Sequence, residues 1–217
     1  LVINQLNKMN NLIQNYEIIL KELNNTCSHI VHKPQIRKPK LLDIELVALN
    51  LTAEYMSIIS ELQLFRCIKG TVLENKIERS VYNKRKRNLF GYIENIRKCL
   101  SDKFSSFTDV FIVDSAPVPI CQISRANRSG ICQSEQIKAS FGYCSSKNTR
   151  YFGYKLHLVC DKNGIIHSFD FTPANVHDIN YLTDIKHNLS DCTLIGDRGY
   201  ISADYQQDLF NSSNIVD

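Results

Sequence analysis

The chain has 217 residues and a formal net charge of +4, with 43% apolar and 22% charged side chains. That length supports one main domain plus a smaller one, and the apolar content excludes disorder. No apolar run approaches the roughly 18 residues of a membrane span, and the N-terminus has no signal-peptide pattern. A start at Leu1 in place of Met reads as a fragment or an alternative start codon.

Helical spacing dominates the first half. Leu6, Met9, Leu12, Ile13, Tyr16, Ile19, Leu20 and Leu23 recur three and four apart, predicting a helix within residues 1–30 that stops at Asn24-Asn25. Residues 31–40 are basic and broken by Pro34 and Pro39, a linker pattern. Further helices are predicted over 42–51, 60–67 and, as one long element, 77–104. In the last, Val81, Leu89, Tyr92, Ile93, Ile96, Leu100 and Phe104 share a face. The run Lys84-Arg85-Lys86-Arg87 wraps its first half and reads as a solvated helix face or as a phosphate contact. Short helices with basic faces fit a helix-turn-helix-like unit, although no recognition helix can be named.

The character changes near residue 105. A strand is predicted over 109–114, after which Pro117 and Pro119 break regularity and a basic, Ser-rich stretch runs to about Tyr151. Residues 154–160 alternate Lys155/His157 against Leu156/Leu158, a half-buried strand. Asp161-Lys162-Asn163-Gly164 is a hairpin turn, and 165–171 returns as its second strand. A helix over 178–188 and a strand over 193–196 come next. Strand, excursion, hairpin, helix and strand in this order predict an α/β fold with a mixed sheet.

Two aspartates close short apolar runs: Asp114 after Val110–Val113, and Asp197 after Thr193–Gly196. Carboxylates at such strand ends either hold a hard divalent cation such as Mg²⁺ for phosphoryl chemistry or start a turn or cap a helix. Arg198 reads as a phosphate or carboxylate contact, or as a surface ion pair. His177-Asp178 reads as an acid/base pair, or, more in keeping with its position, as a helix cap beside a polar neighbour. His157 and His167 receive no role, and Ser115 lacks the His partner a serine hydrolase needs. The eight cysteines contain no Cys-x-x-Cys pair, so reduced thiols fit better than a zinc site at Cys121, Cys132 and Cys144. Residues 1–109 carry +6 and residues 110–217 carry −2, while Cys121 to Lys155 alone carries +5. Basic surface beside an acidic site suits a phosphodiester substrate.

Four runs then converge. Val110-Phe-Ile-Val-Asp-Ser-Ala-Pro-Val, Tyr151-Phe-Gly-Tyr-Lys-Leu-His-Leu-Val, Phe171-Thr-Pro-Ala-Asn-Val-His-Asp and Ile195-Gly-Asp-Arg-Gly-Tyr resemble the DDE transposases of bacterial insertion sequences, and the IS982 group in particular. The stretch 38–55 is similar to that group's N-terminal region. The resemblance implies an RNase H-like mixed-sheet catalytic domain at 106–217, incomplete at its C-terminus. A helical, basic DNA-binding region at 31–105 and an N-terminal helix at 1–30 would precede it. It also implies that Asp114 and Asp197 are the first two catalytic acids and ligands of Mg²⁺, with Mn²⁺ able to substitute. The family's third acid, a Glu on a later helix, has no counterpart before Asp217.

Expected with this family are cleavage at terminal inverted repeats and strand transfer to target DNA, by a homo-oligomer in the bacterial cytoplasm, associated with the nucleoid. Lys84, Arg85, Lys86, Arg87, Arg125, Arg128, Lys138, Lys147, Arg150 and Arg198 are the candidate DNA contacts. The competing reading is a non-catalytic DNA-binding fragment that occupies element ends or inhibits the full enzyme. A host nuclease of the RNase H-like class is a third.

Overall fold

Among the described residues, every α-helix of more than four residues but one lies before residue 106, and every strand lies after it. The computed structural model describes residues 2–30, 37–105, 109–132 and 136–216. Two compact units emerge, Leu1–Leu100 and Ser101–Asp217. Among the described residues no helix is long and apolar enough to cross a membrane.

In the first unit, α1 (Val2–Cys27) turns Leu12, Tyr16, Leu23 and Cys27 inward, the spacing that places side chains on one helical face. It continues through Asn24-Asn25, where a stop is predicted, because asparagine costs a helix only a few tenths of a kcal/mol. Residues 31–36 of the predicted linker lie outside the described residues. Helix α2 (Asp43–Tyr55) begins where Glu45 accepts the Leu42 N–H at 2.6 Å, and it buries Leu46, Val47, Leu49 and Ala53. Helix α3 (Glu61–Cys67) comes next, as predicted.

The predicted long helix is two: α4 (Arg79–Asn88) and α5 (Phe90–Ser105). Leu89 leaves helical geometry at φ −86°, ψ 7°, two residues before Gly91, whose helix propensity is about 1 kcal/mol poorer than alanine's. The inward face changes with the break. Tyr82, Leu89, Tyr92 and Ile96 are buried, whereas Val81 and Phe104, predicted on that face, are exposed.

The second unit is a mixed six-stranded sheet: β1 (Val110–Cys121), β2 (Ser140–Cys144), β3 (Thr149–Asp161), β4 (Ile166–Pro173), β5 (Cys192–Ile195) and β6 (Ile215–Val216). The order is β2-β3-β1-β5-β6, with β4 also paired to β3. Pairing of β3 with β1, β2 and β4 is antiparallel, and β1–β5 and β5–β6 are parallel. Helices α6 (Leu182–Ile185) and α7 (Ala203–Ser213) complete the unit. One sheet face holds the core: Phe111, Val113, Val159 and Leu194 pack with Tyr181, Leu182, Ile185, Tyr200 and Leu209. Strand alternation sends Ile112, Asp114 and Ile195 to the opposite face, where all three are exposed.

Several predicted elements change shape. Strand β1 does not end at Asp114 but runs on through Pro117 and Pro119, with an irregularity before Cys121. Its pairing with β5 covers only Val110 to Ile112, so the rest of that edge is open among the described residues, and an open edge tolerates missing N–H donors. Strand β2 falls inside the stretch predicted to be irregular. In β3 the predicted alternation has its polar side inward: His157 is 0% exposed, while Leu156 and Leu158 are half-buried on the other face. The predicted helix over 178–188 is a 3-10 turn, Asp178–Tyr181, followed by the short α6. The hairpin turn is as predicted, with Gly164 at φ +81° and the Asp161 carboxylate accepting the N–H groups of Asn163 and Ile165 at 2.8 Å each.

Gly153 marks a tight crossing of β3 under β1, since a Cβ there would sit 2.1 Å from the Val118 carbonyl oxygen and 3.0 Å from the Pro119 Cα. Both neighbours are backbone and cannot swing away. Gly153→Ala is expected to lower stability by at least about 2 kcal/mol, measured by urea unfolding.

Candidate active site

Parallel pairing of β1 with β5 matches Val110 to Thr193, Phe111 to Leu194 and Ile112 to Ile195. Paired residues share a face: Phe111 and Leu194 are buried, while Ile112 and Ile195 are exposed. Asp114 and Asp197 each lie two residues beyond the last pair, Asp114 still in β1 and Asp197 in the turn that follows β5. Neighbouring strands lie about 4.8 Å apart where they pair. Both aspartates are exposed. Asp114 Oδ1 accepts the Ser115 N–H at 2.7 Å, and Asp197 Oδ1 accepts the Gly199 N–H at 2.8 Å. Neither carboxylate has an ion pair with a Lys or Arg among the described residues.

The chain after β5 turns back sharply to make this arrangement. Gly196 leaves the necessary gap, because a Cβ there would lie 3.1 Å from Tyr200 Cβ and 3.2 Å from Val113 Cγ1. Asp197 caps the 3-10 turn Arg198–Tyr200, and Tyr200 plunges into the core at 1% exposure. Its hydroxyl lies 3.1 Å from His157 Nδ1, and His157 Nε2 lies 2.9 Å from Thr172 Oγ1. The imidazole also stacks on Tyr181, with centroids 4.5 Å apart and planes at 21°.

Burial holds the His157 pKa below its ordinary value, with Asp178 opposing the shift and Lys155 reinforcing it. In the neutral ring one nitrogen donates and the other accepts, and the Thr172 and Tyr200 hydroxyls can take either complementary role. The Tyr200 pKa is raised well above normal, by burial first and by Asp178 next. A hydrogen bond from Ser115 opposes that rise, while Asp114 and Asp197 add to it. Three carboxylates therefore act on one buried phenol.

Asp178 is the acid that sequence reasoning assigned to a helix cap. Its side chain makes no cap bond; Lys155 Nζ lies 2.9 Å from its Oδ1 and also donates to the Val176 carbonyl at 2.8 Å. The point where a Cβ would sit on Gly199 is 3.0 Å from Asp197 Oδ1 and 3.2 Å from Asp178 Oδ2, so the two carboxylates flank that glycine. Lys155, His157 and Tyr200, which surround the candidate acids, were given no role from sequence, and Asp178 entered only through the His177-Asp178 alternatives. The only signal available was the polar pair Lys155/His157 on a strand whose other face is leucine.

The candidate DNA contacts divide by unit. Arg85 turns inward, donating to the Leu41 carbonyl at 2.9 Å and to Asp43 at 2.5 Å, so its charge is neutralised. Lys84 and Arg87 are exposed and Lys86 is half-buried, with Arg87 bonded to Asn83. In the second unit Arg125, Arg128, Lys138, Lys147, Arg150 and Arg198 are all exposed.

Two exposed carboxylates without a cationic partner are hard oxygen donors of the kind that suit a divalent cation. Among the described residues no group of three or more His, Cys, Asp or Glu side chains converges as a metal site. The eight cysteines are free, and Cys121, Cys132 and Cys144 form no such group.

Comparison with known proteins assigns the second unit to a family. Residues 105–215 match the family model described as "Transposase DDE domain", just over half of the chain. The chain belongs to that family. Among solved structures it is similar to the Mos1 transposase paired-end complex with left transposon end, at 12% identity and a TM-score of 0.28. That match covers 86% of this chain and 61% of the other, so the chain spans less than two thirds of that transposase. No curated protein matches.

The depressed His157 pKa carries a pH dependence with a definite sign. Above about pH 6.5 the ring is neutral in both folded and unfolded chains, and the full stability is present. As pH falls through 6.5 the unfolded chain takes up a proton that the folded chain refuses, so stability drops until the folded-state value is reached. Urea unfolding at pH 7.5, 6.5 and 5.5 is expected to show this decline, and His157→Gln to flatten it.

Proposed function

We propose that this chain carries the catalytic acids of a metal-dependent DNA transposase of the insertion-sequence type, related to the IS982 group. One observation carries the reading: Asp114 and Asp197 each follow by two residues the last pair of the parallel β1–β5 ladder, Ile112 and Ile195, in a chain matching the transposase DDE domain. Four strands joined by antiparallel pairing and two added in parallel, with helices packed on one face, support an RNase H-like catalytic domain in the second unit. The helical first unit, with exposed Lys84 and Arg87, is then the DNA-binding region.

Asp114 and Asp197 would hold Mg²⁺ or Mn²⁺, which supplies charge stabilisation at phosphorus and an ionised water at neutral pH. The protein's own part is positional. Tyr200 and Gly196 seat the Asp197 turn, and Ser115 ties that seat to β1 beside Asp114. Exposed Arg125, Arg128, Lys138, Lys147, Arg150 and Arg198 would neutralise DNA phosphates, the main source of salt-dependent affinity. The substrates are the element's terminal inverted repeats and target DNA, and the active form is a homo-oligomer.

A second reading has its own observation. No group of three or more candidate ligands converges among the described residues, which is in keeping with a non-catalytic DNA-binding fragment that occupies element ends or inhibits the full enzyme.

The two readings separate in one experiment. Repeat-end DNA is offered to the chain with Mg²⁺ or Mn²⁺ while binding and nicking are scored together. Nicking that falls about 10³-fold in both Asp114→Asn and Asp197→Asn, with binding retained, supports catalysis. Binding without nicking by the parent chain selects the second reading.

A thermal melt checks the cation site directly. Saturating Mg²⁺, at roughly 100 times its Kd, is expected to add about 2.7 kcal/mol of stability to the parent chain. Asp114→Asn should be more stable than the parent without the cation, through lost repulsion between like charges, and should gain little from it. An equal gain in parent and variant would remove Asp114 from the site.

A further inference from the structure

Helix α4 has two unlike faces. On one, Tyr82 and the capping Leu89 are buried. The Tyr82 ring stands edge-on to Phe65 of α3 at 5.6 Å, and its hydroxyl donates to Asn50 Oδ1 of α2 at 3.3 Å. Arg85 closes the same side through the Leu41 carbonyl and Asp43. Ring packing, polar bonds and an ion pair thus seat the helix on α2 and α3, and it cannot roll without breaking all of them.

The other face presents Ser80, Asn83, Lys84 and Arg87, at the i, i+3, i+4 and i+7 spacing of neighbours along a helix. Asn83 is half-buried and the other three are exposed. No acid occurs between Arg79 and Asn88, and neither Lys84 nor Arg87 has an ion pair among the described residues.

Arg87 differs from an ordinary surface cation because it is braced. Its guanidinium donates to Asn83 Oδ1, and Asn83 Nδ2 donates to Glu61 Oε1 of α3 at 2.6 Å. A carboxylate only accepts, so Glu61 fixes which end of the amide faces Arg87. The chain Glu61–Asn83–Arg87 orients the guanidinium, while the neutral amide leaves its charge uncancelled. Attraction to phosphate needs no such brace, whereas presenting a planar fork to a planar partner does. The Asn83 bond uses one of five N–H donors, so a pair of acceptors can still be met. The major-groove edge of guanine offers such a pair, O6 and N7, and that groove of duplex DNA admits an α-helix. A-form RNA does not fit, since its major groove is too deep and narrow for side chains to read.

We propose that α4 is the recognition helix of the first unit, lying in the major groove of duplex DNA with Arg87 reading a guanine and Lys84 on a flanking phosphate. Asn83 and Glu61 are positioning residues for Arg87. The inference rests on the transposase reading for the choice of DNA as partner, while the base preference itself needs neither a metal nor the candidate acids.

The test offers the 217-residue chain, in EDTA, a pool of duplexes with a randomised core, then measures binding of the enriched sequence beside single base-pair variants of it. The enriched sequence is expected to contain a guanine whose replacement by adenine weakens binding at least about tenfold. Arg87→Lys keeps the charge but loses the fork, and should bind the two duplexes equally. Asn83→Ala should lower the discrimination while binding the adenine duplex as the parent does. Lys84→Ala should weaken both duplexes alike and reduce the salt slope by about 1. Lys84 and Arg87 are exposed, so their variants should melt with the parent. Failure to enrich any sequence, or a guanine preference that survives Arg87→Lys, overturns the assignment of α4. So does equal binding of an RNA duplex of the same sequence. Undiminished discrimination in Asn83→Ala removes the brace. Failure of the transposase reading would look different: nicking would survive Asp114→Asn in Mg²⁺ while the base preference in EDTA stood unchanged.

Discussion

The parallel register between β1 and β5 governs everything chemical in this molecule. Three residue pairs set it, and the side-chain period of two makes it all-or-none. A slip of one residue would turn one carboxylate toward Val113, Val159 and Leu194, at a cost of several kcal/mol for an unpaired charge. Burying Phe111 and Leu194 contributes roughly 1.5–3 kcal/mol each in the correct register. Apolar packing on one face thus fixes the geometry of two charges on the other. The acids need no contact with each other to be placed.

A second constraint lies beneath the first. Ser115, Tyr200, His157 and Thr172 form a polar chain through the core, linking β1, the turn after β5, β3 and β4. Buried hydrogen bonds of this kind are costly to leave half-made, so the chain holds its parts in one arrangement. Lys155 and Asp178 flank the chain, and their half-buried pair neutralises a carboxylate that would otherwise crowd Asp197. The site is therefore supported from the core side by neutral hydrogen bonds and beside them by one ion pair.

Legibility tracked the range of the determining contact. The hairpin at Asp161–Gly164 could be read directly because its turn chemistry is local, and the apolar run before Asp114 could be read as a strand for the same reason. The runs before Asp114 and Asp197 are neighbouring strands, β1 and β5, paired in parallel. The burial of His157 was left open, since alternation alone does not say which face is covered, and its partners lie 15 and 43 residues away. Asp178 looked like a cap because Lys155, 23 residues upstream, is invisible to a local pattern. Strand β2, Ser-Phe-Gly-Tyr-Cys, has no buried alternation to detect: its aromatic rings are exposed and its glycine sits under Ala174. The break at Leu89 arose from marginal helix propensity around Gly91, which a long apolar stripe concealed.

The prolines of β1 have a consequence for the molecule in solution. Beyond Ile112 one side of that strand has no neighbour among the described residues, and an unpaired strand side is a template on which another chain can build. Pro117 and Pro119, two positions apart, remove donors along a single side and interrupt any ladder that a second copy could start there. The strand can therefore project past its parallel partner, carrying Asp114 at the point where pairing gives out, without recruiting an intermolecular sheet.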